Sequence, residues 1–372
     1  MGYRGRSLIQ ALHKALGEKE AGRIYLLYIL LQKHQERNKI AFSEGDIKGL
    51  YKRGHKGHLK RMLEALREAG FLELVNGYYV LTPLALKLLD PPGDGLELYI
   101  AGNNYALEQV SDLARSMGWL VGAGVFWDGK FNEQKAVKMR AKVGKLFLDS
   151  GAQQFYRKFK GFDYPYRPGE YLDFAMRIGA DLIATLDLPL DILAPRGLPV
   201  KEGIKKTVEY GVEIYALAEK LGAADRIVPV LQGYDDPSQW LESLDLYRSH
   251  GIKAEVWGLG SLCMMSRPKL ARRIVETVRR ALPGVKLHVF GVDLNVLKRI
   301  YCLVDSYDTS AWIFWAKRYG TVRVWDPFEE SFVKLKPYVR YPTKRLFMLN
   351  FYELLKFHEH LAAKKRLCKN VS

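Results

Sequence analysis

Hydrophobic residues near the start of the chain recur at helical spacing. Leu59, Met62, Leu63, Leu66 and Ala69 fall three or four residues apart and stop at Gly70, as a helix with one buried stripe and a glycine terminator does. Ile24, Leu27, Leu30 and Leu31 mark an earlier helix, and Ser43 with Asp46 gives the next one a capping-box start. The pattern then changes. Phe71–Val75 and Tyr78–Leu81 are short apolar runs around Asn76-Gly77, the strongest signal for a two-residue hairpin turn. Thr82-Pro83 opens another short helix. Helices followed by a hairpin predict a winged helix-turn-helix over residues 1–92, closed by the break Pro91-Pro92-Gly93-Asp94-Gly95.

Beyond that break, apolar strand signals begin near Leu98, Leu120, Leu146, Leu182, Ile227, Ala254, Leu287 and Cys302. Amphipathic helical segments separate most of them, and Asp236 is placed to cap the one from Pro237 to His250. This repetition predicts an α/β fold, a (β/α)8 TIM-type barrel over residues 96–320. No glycine-rich phosphate loop follows the first strand, which argues against a doubly wound dinucleotide fold. Residues 321–372 read as an irregular aromatic and basic stretch, then a helix from about Arg345 to Lys365: a basic C-terminal extension.

Charge sharpens this division. The net charge is +17, with 58 Lys and Arg against 41 Asp and Glu. Residues 1–93 hold 16 basic against 9 acidic groups, residues 317–372 hold 13 against 5, and the segment between holds 29 against 27. A basic head and tail around a balanced middle indicate a polyanionic partner, of which nucleic acid is the common kind; a generally basic protein is the plainer alternative. Lys52, Arg53, Lys56, Lys60 and Arg61 crowd the start of the third helix, the part of a recognition helix that meets DNA, and suit phosphate contacts. A winged helix used only for protein contacts would carry the same elements. Three scattered cysteines, Cys263, Cys302 and Cys368, exclude a disulfide scaffold or zinc knuckle and suit a reducing compartment. Cys302 is expected in the core of the last strand and Cys263 in packing. The early apolar run Tyr25–Leu31 is too short to cross a bilayer, so no membrane partner and a cytoplasmic location are expected.

Barrel chemistry comes from the C-terminal ends of strands. Here those ends read Asp149-Ser150-Gly151, Leu186-Asp187, Leu231-Gln232-Gly233, Gly258-Leu259-Gly260, Phe290-Gly291 and Asp305-Ser306-Tyr307-Asp308. Carboxylates at three of them, converging on one mouth, point to acid–base or nucleophilic work. Asp305 is expected to support its loop, and Asp187 has the alternative role of a helix cap before Pro189. Lys145, Arg157, Lys158 and Lys160 flank the Asp149 loop, with Tyr156, Phe159 and Phe162 between them. That mixture fits either a nucleic-acid contact with stacking platforms or an ordinary solvated loop.

In order and spacing, these strand ends resemble the tRNA-guanine transglycosylase superfamily over roughly residues 96–320. The resemblance implies Asp308 as the nucleophile on the sugar C1′ and Asp149 as general acid–base. It implies Asp187, Gln232, Ser150 and the backbone from Gly258 to Gly260 as readers of the purine edge, with Phe290 against the base face. The tRNA enzymes follow the nucleophile strand with a zinc motif; this chain has Trp312, Trp315, Lys317 and Arg318 there. No metal or cofactor is therefore expected, and Lys317 and Arg318 join the nucleic-acid contacts. A zinc-free barrel with a winged helix, together with Asp308-Thr309-Ser310-Ala311-Trp312, is more similar to the DpdA branch, whose members insert 7-deazaguanines into DNA. The implied function is a DNA-guanine transglycosylase whose partners are DNA and a free 7-deazaguanine such as preQ0, the target guanine being extruded from the stack or already unpaired. The alternatives are tRNA as the polymer, or a non-catalytic winged-helix regulator that senses a deazapurine. The base inserted, the target sequence, the oligomeric state and any need for accessory proteins stay open.

Overall fold

In the computed structural model the described residues are 30, 41–50, 56–68, 71–81, 95–110, 114, 117–158, 162–263, 265, 267–326, 329–335 and 343–368. The chain divides into two compact units. One comprises Met1–Gly95, Trp325–Val333 and Tyr352–Arg366, the other Leu96–Val324, Lys334–Phe351 and Leu367–Ser372.

In the first unit, β1 (Ala41–Ser43), β2 (Leu72–Val75) and β3 (Tyr78–Leu81) form an antiparallel sheet in the order β1-β3-β2. Asn76 and Gly77 both have positive φ, 49° and 80°, the backbone that a two-residue hairpin turn needs. The helix Glu44–Leu50 starts with a reciprocal cap: Ser43 N–H donates to Asp46 Oδ2 at 2.8 Å and Asp46 N–H donates to Ser43 Oγ at 3.1 Å. The helix Lys56–Glu68 buries Leu59, Met62, Leu63 and Leu66, the stripe read from their spacing. Strand β1 was not anticipated, because three residues are too few to display a period. Of the first expected helix Leu30 is described, helical and buried. Lys52, Arg53, Phe159, Lys160 and the Thr82-Pro83 helix start lie outside the described residues.

The tail corrects one expectation. The stretch read as irregular contains β13 (Val322–Asp326) and β14 (Ser331–Leu335), a two-stranded sheet, before the helix Thr343–Cys368. Its aromatic residues are a small core: Trp325 packs edge-on against Phe357 at 4.9 Å and lies 5.0 Å from Phe332. Glu353 accepts the Trp325 N–H at 2.8 Å and pairs with buried Lys356 at 2.6 Å.

The second unit is a barrel. Nine parallel segments run in the order β8-β7-β6-β5-β4-β12-β11-β10-β9: β4 (Glu97–Ala101), β5 (Gly118–Gly122), β6 (Lys145–Asp149), β7 (Leu182–Ala184), β8 (Ile227–Val228), β9 (Val230–Leu231), β10 (Val256–Leu259), β11 (Lys286–Val289) and β12 (Ser306–Thr309). The two ends of that order, β8 and β9, are halves of one strand parted by Pro229, which has no N–H to give. The sheet therefore returns to itself and makes eight strands. At the seam, Thr185 N–H donates to Val228 O at 3.0 Å, Gly258 N–H to Pro229 O at 2.9 Å, and Val230 N–H to Thr185 Oγ1 at 3.0 Å. Tyr99, Leu120, Phe147, Ala184, Val228 and Val230 fill the interior. As expected, Asp236 caps the helix Pro237–Ser249, accepting from Ser238 N–H at 2.9 Å.

The last strand begins at Ser306, not near Cys302. Cys302 lies in the turn after the helix Leu294–Ile300 and forms a disulfide with Cys368. The apolar run Ile300–Val304 mimics a strand because buried Ile300 at the helix end and buried Val304 bracket a turn in which Cys302 is exposed. Set 66 positions apart in the sequence, the two cysteines gave no local signal, and their pairing removes the cysteine argument for a reducing compartment. No described helix is long and apolar enough to cross a membrane.

At the foot of the barrel, acids meet bases. Glu97 pairs with Lys145 at 2.9 Å and Asp181 with Arg140 at 3.1 Å. Asp305 pairs with Arg279 at 2.5 Å and accepts Leu287 N–H at 2.9 Å, the supporting role expected of it. Lys145 thus starts β6, four residue rises or about 13 Å from Asp149, and does not flank the Asp149 loop.

Candidate active site

Three carboxylates lie at the opposite, C-terminal ends of the strands, and none has a lysine or arginine partner among the described residues. Asp149 ends β6, and its Oδ2 accepts Gly151 N–H at 3.1 Å. Burial pushes its carboxyl up to about 7, and the negative charges of Asp187 and Asp308 add to the shift. Asp187 follows β7. Its Oδ1 accepts from Ser150 Oγ at 2.6 Å and its Oδ2 from Gln232 Nε2. Burial raises Asp187 to about 6, against the opposing effect of those hydrogen bonds. Asp187 is not a helix cap, since the helix Leu190–Leu193 takes Pro189 at that position. Asp308, in β12, is 4% exposed; its Oδ1 accepts Gly291 N–H at 2.7 Å and faces His288 Nε2 at 3.4 Å.

The neighbouring backbone is shaped around these groups. A Cβ on Gly260 would lie 2.2 Å from Gln232 Nε2, and one on Gly258 would lie 2.4 Å from the Phe290 ring. Both positions need glycine for close approach. Phe290 is half-buried at the top of the barrel, 4.5 Å from the His288 ring and 5.6 Å from Phe147. Cys263 packs against Gly291, where an added Cβ would come 2.8 Å from its Sγ.

Sequence reasoning passed over several supporting residues. His288 is fully buried, and its Nδ1 meets Ser306 Oγ at 2.9 Å while Nε2 faces Asp308; a lone histidine inside an apolar parallel strand was the available signal. Tyr164 OH donates to Asp187 O at 2.7 Å and Tyr166 OH to Ser150 O at 2.7 Å. Tyr171 OH reaches Ala184 O at 2.9 Å and Leu148 O at 3.2 Å. Three tyrosines within eight residues pin the carbonyls at the ends of β6 and β7, and burial pushes their phenols up. Tyr156, read as a stacking platform, is instead fully buried and contacts Phe162 O at 3.4 Å. Its helix, Ala152–Lys158, turns that face into the barrel wall.

The basic residues assigned to nucleic acid fall in both units. Lys60 and Arg61 are exposed on the helix Lys56–Glu68, on which Lys56 also lies. Arg157 and Lys158 sit in the helix Ala152–Lys158, their side chains outside the described ones. Lys317 is exposed with its ammonium 4.7 Å from the Tyr105 ring centre, and exposed Arg318 lies 6.0 Å from that of Tyr319. In the zinc-motif position, Trp312 is fully buried and packs on Trp119 and Phe351. Among the described residues no group of three His, Cys, Asp or Glu side chains could hold a metal ion.

Residues 171–326 match the family model DpdA, DeoxyPurine in DNA protein A. The chain is also 25% identical over 248 residues to the tRNA-guanine(15) transglycosylase of Aeropyrum pernix, an alignment covering 60% of this chain and 45% of that enzyme. Together the two matches support a relationship to the tRNA-guanine transglycosylase superfamily, in its DpdA-like branch. It spans less than half the length of the archaeal relative. The DpdA match contains Asp187, Gln232, Gly258, Gly260, Phe290 and Asp308 but begins after Asp149 and Ser150. Within this superfamily reading, those two residues rest on geometry.

Proposed function

We propose that the protein is a DNA-guanine transglycosylase, a pentosyltransferase that exchanges guanine in DNA for a free 7-deazaguanine. The observation that carries this reading is the trio Asp149, Asp187 and Asp308 at one barrel mouth, held by neutral donors and close enough for the charges of the other two to raise Asp149. Asp187 offers acceptors to the N1–H and N2–H of guanine, and Gln232 offers a donor to its exocyclic oxygen. The Asp308 carboxylate attacks C1′, and the C1′–N9 bond breaks with its electron pair on the purine. Asp149, protonated as its raised pKa allows, gives that purine a proton. The incoming base then loses its own proton to the Asp149 carboxylate and attacks C1′, releasing Asp308. Two displacements at one carbon retain the β-linkage.

The winged-helix reading of residues 1–92 and the basic extension over residues 321–372 belong to the same proposal: they hold the polymer through phosphates while the barrel takes the extruded base. The DpdA match favours DNA over tRNA. A labelled-base exchange tests both the polymer and the mechanism. Duplex DNA and unmodified tRNA are incubated together with protein and radiolabelled guanine or preQ0. Label is expected in DNA; label in tRNA alone would overturn the DNA assignment, and label in neither polymer with retained base binding would favour the regulator. A covalent DNA–protein complex formed by the wild type and missing from Asp308→Asn would establish the aspartyl intermediate.

A further inference from the structure

Gln232 is fully buried, and its carboxamide lies between Asp187 on one side and Ser261 on the other. A carboxamide has a donating and an accepting end, and which end faces which neighbour decides what the pocket asks of a ligand. Ser261 settles its side by counting. Its Oγ accepts Leu190 N–H at 2.9 Å and Asp191 N–H at 3.3 Å. With both lone pairs of the hydroxyl occupied, only its proton remains to give, and Gln232 Oε1 receives it. On the far side Asp187 Oδ2 accepts a hydrogen bond from Nε2. Two separate neighbours therefore impose one orientation of the amide.

The backbone at Ser261 supports a special role for that hydroxyl. Its φ is +58°, a left-handed conformation in which glycine is the default and serine carries strain. The preceding residue, Gly260, comes so near the amide that a side chain there would collide with Nε2. The loop is thus pressed against Gln232, and serine stands at a position whose backbone favours glycine.

We propose that Ser261 is a positioning residue that sets base specificity: it keeps the Gln232 carbonyl turned away from the ligand and the N–H group towards it. This rests on the transglycosylase reading of the pocket. One N–H of Nε2 serves Asp187, leaving the second for the exocyclic atom on C6 of a purine or 7-deazapurine. A 6-oxo base accepts it. A 6-amino base such as 2,6-diaminopurine presents a donor to a donor. It keeps the 2-amino donor for Asp187 but has no N1–H, a loss common to wild type and variants, so the change in the ratio between bases reports on C6. Without the Ser261 proton the amide is freer to turn, and discrimination between oxo and amino at C6 falls.

Two variants and two measurements test this. Ser261→Gly suits the left-handed backbone and keeps the fold, while Ser261→Ala removes the hydroxyl but retains Cβ. Titration calorimetry with guanine and with 2,6-diaminopurine is expected to show the wild-type preference for guanine reduced about tenfold in both variants, the scale of one buried hydrogen bond. If both bases weaken together and the ratio holds, Ser261 is merely structural and the proposal is overturned. Independently, the Gln232 side-chain amide is followed by 15N NMR, its signals assigned by their loss in Gln232→Glu. Its protons should exchange with solvent faster in Ser261→Gly, and unchanged exchange overturns the proposal whatever the bases do. If the wild type binds neither base while exchange still quickens, the transglycosylase reading falls and the positioning of Gln232 by Ser261 stands.

Discussion

The two ends of the barrel use the same acids in opposite ways. At the foot, Glu97, Asp181 and Asp305 each meet a lysine or arginine, and the last two also accept a backbone N–H. At the mouth, Asp149, Asp187 and Asp308 are held by backbone amides, a serine, a glutamine and a histidine. Asp305 and Asp308 make the contrast within four residues: one is tied to Arg279 and the other faces the reaction side. A carboxylate paired with a base stabilises the fold. Asp149 and Asp187, confined among other acids and neutral donors, are costly to charge and so can exchange a proton near neutrality.

Substitutions at the two ends should therefore separate activity from stability. The largest effect is expected at Asp308: Asp308→Asn should lower base exchange at least about ten-thousandfold, as loss of a covalent nucleophile does, with an unchanged circular dichroism spectrum. Asp149→Asn should reduce turnover by about a hundred- to a thousandfold. It should also change the pH profile. In the proposed mechanism guanine departure needs protonated Asp149, so wild-type exchange should fall as pH rises above about 7, and the variant should lose that alkaline limb.

The same substitution should make the protein more stable. The folded pKa of Asp149 lies above its unfolded value of about 4, so the stability it contributes is fully present below pH 4 and is lost as pH rises through about 7. At pH 8 the wild type bears a half-buried, poorly compensated charge that asparagine lacks. Urea unfolding of Asp149→Asn should then show a gain of about 1–3 kcal/mol at pH 8 that shrinks towards pH 4. Smallest is the foot. Asp305→Asn should cost about 1–2 kcal/mol of stability through the weakened Arg279 pair and the Leu287 contact, while exchange per folded molecule stays within about twofold of wild type. Equal losses of activity at Asp305 and Asp149 would erase the distinction between the two ends.

Much of this was readable in advance for definite reasons. Seven of the eight barrel strands announced themselves through apolar runs set between amphipathic helices, and the hairpin through Asn76-Gly77, whose left-handed backbone few other pairs adopt. Asp149, Asp187 and Asp308 stood out because carboxylates fall at three strand ends that converge on one mouth, and the family resemblance singled out Asp308 from Asp305. What stayed hidden depends on distant partners. Cys302 and Cys368 meet only after the barrel closes, and Lys145 sits at the foot because the strand starts, rather than ends, with it. Tyr156 looked like a stacking ring because its neighbours are basic, yet it is buried. Ser261 carries no local pattern, and its role exists only where Gln232, Leu190 and Asp191 come together.

The closure at Pro229 has a consequence for precision. Thr185 lies two residues before Asp187, and Val230 two before Gln232, so the bond between Thr185 Oγ1 and Val230 N–H acts as a ruler between the two groups proposed to read the base. Proline removes a ladder donor at that point, and a side-chain hydroxyl takes the amide that would otherwise let the strands slide. The barrel is sealed where the purine edge would be measured, and the seam's alignment becomes the pocket's calibration.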